Sequence, residues 1–130
     1  MTQQANNYLE KAAESLAGAE SEYVNGRYNN CSNRCYYACF QAAITALLIG
    51  GLRPAGQQWS HTFVQGRFIG DLINRRKQYA AGHRDTLPRV YDLRLMADYD
   101  DEPVTQTQAM RALRRSRDLV TAVVRGGDTA

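Results

Sequence analysis

Apolar residues recur at three- and four-residue intervals along most of the chain, and no stretch alternates apolar and polar positions as a strand would. In the first segment Leu9, Ala12, Leu16, Ala19 and Tyr23 share one side while Glu10, Glu14 and Glu22 lie elsewhere, which predicts an amphipathic helix closed by Asn25-Gly26. Asn29 or Asn30 is placed to cap a second helix that runs to Leu48 or Ile49 and stops at Gly50-Gly51. Residues 52–59, with Pro54 and Gly56, form the main loop. A third helix is expected from Ser60, burying Phe63, Val64, Phe68, Leu72 and Ile73, turning basic at residues 74–77 and ending at Gly82. Thr86 as cap and Pro88 in the first turn open a fourth helix whose inner side is Val90, Tyr91, Leu95 and Ala97. After an acidic turn at residues 98–103, Thr105 and Gln108 have the spacing of a capping box for a fifth helix. That helix turns Ala109, Leu113, Leu119 and Val123 inward and Arg111, Arg114, Arg115 and Arg117 outward. The expected fold is all-α, an up-and-down bundle of four main helices plus an additional one, with residues 1–125 as a single domain and 126–130 as a flexible tail.

A chain of 130 residues with 44% hydrophobic side chains buries a core without disulfides or metal. Its N-terminus has no basic stretch followed by an apolar one, and the apolar-rich run at residues 38–52 is broken by Gln41 and Thr45 and too short to span a bilayer. A cytoplasmic protein with no membrane partner is the expectation. Cys31, Cys35 and Cys39 lie four apart on one predicted helix, which is no disulfide framework. A metal site would need His61 or His83 to converge on them. The expected role is small apolar packing, with no metal and no cofactor. A net charge of +3 is weak support for a polyanionic partner, although fourteen of the sixteen basic residues are arginine, the better bidentate phosphate ligand.

The second helix departs from a simple apolar pattern. Asn30, Arg34, Tyr37 and Gln41 fall on one face among Cys, Ala, Phe and Leu, with Asn33 beside them. A cation, a phenol and two amides on such a helix require partners, because buried polar groups without hydrogen bonds are costly. The partner is another helix, a second subunit or a ligand. Tyr36 and Phe40, on a different face, are expected to be core or dimer contacts.

The block Asn33-Arg34-Cys35-Tyr36-Tyr37, then Phe40 and small residues, preceded by Gly26-Arg27-Tyr28 and followed by Leu47-Leu48-Ile49-Gly50-Gly51-Leu52, resembles the HEPN domain of small bacterial and archaeal proteins. Residues 90–100, with an arginine shortly before Ala97-Asp98-Tyr99, resemble the family's second block, and Ser60-His61 fits the start of its third helix. The resemblance covers residues 8–124. It implies a helical bundle that dimerises by pairing the motif helices across a cleft, acting in toxin–antitoxin or other defence systems, often beside a nucleotidyltransferase-like partner. Catalytic members are metal-independent ribonucleases with an arginine and, a few residues on, a histidine. Arg34 occupies the arginine position and Gln41 the histidine position.

That substitution bears on chemistry. Metal-free RNA cleavage needs a group that moves a proton at the 2′-hydroxyl or the leaving oxygen, and a donor for the charge that builds on phosphate. Arg34 suits the second task, but an amide does not titrate, so Gln41 cannot act as acid or base. Tyr37, a phenol, is a poor base near neutral pH. His61 is the candidate substitute, or simply a capping or exposed residue. Arg76 and His83 have the bare spacing but straddle the helix end expected at Gly82. Arg34 is also expected to pair with Asp98, tying the second helix to the fourth. Three functions follow: a non-catalytic or weakly catalytic dimer binding RNA, a nucleotide or a partner protein through the Arg34 face; an active ribonuclease toxin using His61; or a subunit docking a nucleotidyltransferase-like protein through the fifth helix.

Overall fold

A computed structural model describes residues 1–129. The described residues form five α-helices: α1 Gln3–Val24, α2 Tyr28–Ile49, α3 His61–Arg67, α4 Thr86–Tyr99 and α5 Gln106–Val124. No strand occurs among the described residues, and none of their helices is long and apolar enough to cross a membrane.

Local chemistry sets most of the boundaries. The Thr2 and Ser60 hydroxyls accept the Ala5 and Phe63 amides to open α1 and α3, and Gly26, at φ +75, turns the chain from α1 into α2. Thr105 and Gln108 form both halves of the expected capping box at α5. Two expected caps have other roles. Asn29 lies inside α2, where its side-chain oxygen accepts the Val104 amide at 2.9 Å and ties the helix to the approach of α5. Thr86 is the first residue of α4 and is buried rather than capping.

The third helix also differs from the expectation of one element ending at Gly82. Past α3 the backbone widens into π-type turns over Phe68–Arg75, with the Arg76 amide reaching back to Asp71. Lys77 then takes a left-handed conformation, φ 53, and the Gln78 and Tyr79 amides both return to the Leu72 carbonyl. Tyr79 folds into the core against Phe68, ring centroids 5.1 Å apart, and Gly82 sits in a short 3-10 turn, Ala81–His83.

Helix α2 is the axis of the bundle and packs against all four other helices. Its buried residues are mostly small, Cys31, Ser32, Cys35, Ala38, Cys39, Ala42 and Ala43, which lets neighbouring backbones approach closely. At its far end Ile44, Leu47 and Leu48 fill the core, each burial worth about 1.5–3 kcal/mol. Hydroxyl and thiol groups along α2 and α5 find partners within and across helices. The Ser116 hydroxyl of α5 donates to Ala112 O at 2.7 Å and receives the Cys39 thiol at 3.3 Å, and Thr45 donates to Ala5 O at 3.2 Å. All three cysteines are free and buried, and burial pushes the Cys39 thiol up to about 12.

The C-terminal segment, expected as a flexible tail, is fastened back onto the connection after the π-type turns. Asp128 bonds to His83 Nε2 and to the Ala80 amide, Gln78 donates to Gly126 O at 3.0 Å, and Thr129 donates to Lys77 O at 2.6 Å. Ala130 lies outside the described residues.

Candidate functional site

Four of the residues singled out on α2 meet at the surface. Asn30, Asn33, Arg34 and Tyr37, with Glu22 of α1, line an open depression of about 390 Å³. Arg34 lays its aliphatic stem over Gly18 of α1, where a Cβ would lie 3.7 Å from Arg34 Cδ, and leaves its guanidinium exposed. That guanidinium has no ion-pair partner among the described residues. Tyr37 keeps 39% of its surface exposed at the same edge, an amphipathic ring beside a free cation. Glu22 completes the depression, with Asn30 Nδ2 at 3.4 Å and Arg27 at 3.8 Å.

The expected Arg34–Asp98 pair does not form. Asp98 accepts from Asn33 Nδ2 at 3.0 Å and lies 3.6 Å from Arg94 Nε. The physical reason is the helical period: Asn33 and Arg34 point about 100° apart, and it is Asn33 that faces α4 while Arg34 faces the α1 side. Asn33, an amide, therefore makes the α2–α4 tie expected of the arginine.

Gln41 is likewise separated from the depression. Its amide enters the seam between α1 and α2 within 2.8 Å of the Ser15 hydroxyl. In the orientation that the surrounding oxygens require, its nitrogen lies 3.0 Å from Lys11 O and 3.1 Å from Tyr37 O. An NH2 group serves two of these three oxygens at a time. Gln41 thus holds two helices together.

His61 sits among aromatic rings. Its imidazole stacks on Tyr91 at 3.7 Å between centroids, and Nδ1 shares a 3.1 Å hydrogen bond with the Tyr36 hydroxyl. Burial lowers the His61 pKa, opposed by the neighbouring Gln65 side chain and assisted by the Arg94 charge, so the ring favours its neutral form. Tyr36 is pushed up to about 12, chiefly by burial, and the guanidinium of Arg94 lies over its ring at 5.0 Å. Arg94 also covers Tyr37 at 5.4 Å, so this cluster of α2, α3 and α4 side chains adjoins the Arg34 depression through one tyrosine. Arg94 Nε and Gln65 Oε1 are buried without a hydrogen-bond partner. Sequence reasoning assigned no role to either. The signal available was the i, i+4 spacing of Arg94 with Asp98 and of His61 with Gln65.

Arg76 and His83, which have the spacing of the ribonuclease motif, are employed elsewhere. Arg76 donates to Gly50 O at 2.9 Å, and His83 holds Asp128.

The HEPN domain family model matches residues 5–126, nearly the whole chain. This protein belongs to the HEPN family. No significant match to it is found among curated proteins. Within this HEPN domain Arg34 has no ion-pair partner among the described residues and is exposed, Arg94 and Asp98 stand beside the same helix, and Gln41 is turned inward.

Proposed function

We propose that this HEPN-family protein binds single-stranded RNA through the Arg34 face, with little or no cleavage, in a toxin–antitoxin or defence-type setting. The observation that carries the reading is a guanidinium without an ion-pair partner beside an exposed tyrosine ring, with two asparagine amides in the same depression. Single strands are bound by cations that follow the phosphates and aromatic rings on which bases stack, each stacked base being worth about 1–3 kcal/mol. Asn30 and Asn33 add donors and acceptors suited to base edges, and Glu22 accepts from a base amino group. Neither imidazole belongs to the depression's lining, and His61 is bonded to Tyr36, which supports binding over catalysis.

Ribonuclease activity is the second reading, and the His61–Tyr36 hydrogen bond is what favours it: a neutral imidazole with a phenol at Nδ1 is a competent proton-transfer pair. Both readings are tested together by incubating labelled single-stranded RNA with the protein in excess chelator, following anisotropy and chain length. Binding without shortening, weakened in Arg34→Ala and Tyr37→Ala, is the expected result. Shortening that is lost in His61→Ala would replace it with the ribonuclease reading.

A further inference from the structure

A second feature, which the Arg34 site does not use, is the groove between α4 and α5, with a volume of about 320 Å³. Its floor is aliphatic: Val90, Leu93 and Met96 from α4 and Ala112 from α5. Its rims are predominantly basic. Arg111 and Arg115, one turn apart on α5, have no ion-pair partner among the described residues, and Arg89 on α4 has only the exposed Asp85 at 3.9 Å. Asp92 is the single carboxylate in the lining. We propose that this groove receives an amphipathic helix from a different protein, its apolar stripe on the aliphatic floor and its flanking carboxylates on the arginines.

The occupant follows from what lines the groove. Two helices side by side with an apolar floor form the seat for a third, read through anchors at i, i+3, i+4 and i+7. Three arginines against one aspartate select flanking carboxylates over amines, by charge complementarity. RNA fits less well, because sites for single strands combine cations with rings, and no aromatic side chain lines this groove. A second copy of the chain fits less well too. Among the described residues its exposed large apolar side chains, apart from Tyr37 and Met110, lie singly at helix ends or termini, as with Val24, Ile49, Tyr99 and Val124, and form no stripe along a helix. The carboxylates Glu10 and Glu14 of α1 flank alanines.

The test uses a fluorescent synthetic helix of about 16 residues, with leucines at those anchor positions and glutamates on either side, beside a scrambled peptide of the same composition. The helix is expected to bind at least about tenfold tighter than the scrambled peptide, a difference of 1.4 kcal/mol. In ¹⁵N spectra of the wild type, the amides of Leu93, Met96 and Ala112 should shift. The double variant R111E/R115E, at surface positions, should weaken binding at least about tenfold with an unchanged melting temperature. Equal binding of both peptides would reduce the groove to general charge attraction and overturn the proposal. So would shifts confined to another face, indifference to R111E/R115E, or self-association that the double variant abolishes, which would make a second copy the occupant.

Discussion

Replacing Gln41 by leucine removes the amide from the α1–α2 seam while keeping nearly the same volume. The Ser15 hydroxyl, 7% exposed, loses its 2.8 Å partner, and the two carbonyls near the amide lose a donor. Those carbonyls, Lys11 O and Tyr37 O, belong to helix interiors and keep their backbone bonds, so the cost centres on Ser15. One lost neutral hydrogen bond is worth about 0.5–1.5 kcal/mol and one stranded buried hydroxyl about 1–3, which sets the expectation for Gln41→Leu at about 1–2 kcal/mol. Removing both partners is different: Ser15→Ala/Gln41→Leu should cost less than the two single changes added together, by about 1 kcal/mol, because two apolar groups need no hydrogen bond. Urea denaturation of the four proteins measures the coupling. Costs that add within about 0.3 kcal/mol would show that the amide and hydroxyl do not interact, and would refute the inward placement of Gln41. The same placement has a functional corollary. Gln41→His should lose stability without gaining RNA cleavage in chelator, since the new ring would face Lys11 and Ser15.

Arg34→Ala should change stability by no more than about 0.5 kcal/mol, because the guanidinium is exposed and has no ion-pair partner among the described residues. RNA affinity should nevertheless fall about tenfold to a hundredfold, as befits one charge-assisted phosphate contact; a large drop in melting temperature would instead make Arg34 a structural residue. Burial raises the Asp128 pKa, but the His83 bond and charge and the Ala80 amide outweigh it, leaving the carboxyl below its ordinary range. Its folded value being the lower, Asp128 stabilises the fold above its unfolded pKa of about 3.9 and ceases to as pH falls through the folded value. Asp128→Asn should therefore melt earlier than the wild type at pH 7, with the gap closing in strong acid; a gap independent of pH would refute this. His61, also lowered, stabilises the neutral-ring fold above about pH 6.5 and loses that contribution as pH falls. Its ring ¹⁵N shifts should report a neutral imidazole at pH 6.5, and a midpoint above that value would contradict the burial described for it.

The elements were legible because their signals are local. The Thr105–Gln108 capping box, the Gly26 turn and the start of the third helix at Ser60 are each settled by a few neighbouring residues, and each is found where the pattern places it. Asn29 was misread because its oxygen serves Val104, far along the chain, and nothing local distinguishes that bond from a cap. The third helix was misread for a similar reason: the backbone widens over Phe68–Arg75 and closes at Lys77 so that Tyr79 reaches the core, a tertiary gain that overrides the glycine signal. On the functional face, periodicity identified Asn30, Arg34 and Tyr37 as neighbours. It could not tell that Gln41, on the same stripe, lies where α1 covers α2, nor that Asn33 rather than Arg34 meets Asp98. The ring cluster of Tyr36, His61, Tyr91 and Arg94 joins three helices, and its assembly depends on crossing geometry that no spacing within one helix encodes.

A titration of ¹⁵N-labelled protein with a short single-stranded RNA tests the central claim most directly. Binding at the Arg34 face predicts shifts at Asn30, Asn33, Arg34 and Tyr37, extending to Arg94 through the tyrosines, with the α4–α5 groove silent. Shifts clustered along Arg111 and Arg115, or none at RNA concentrations where anisotropy reports binding, would contradict it.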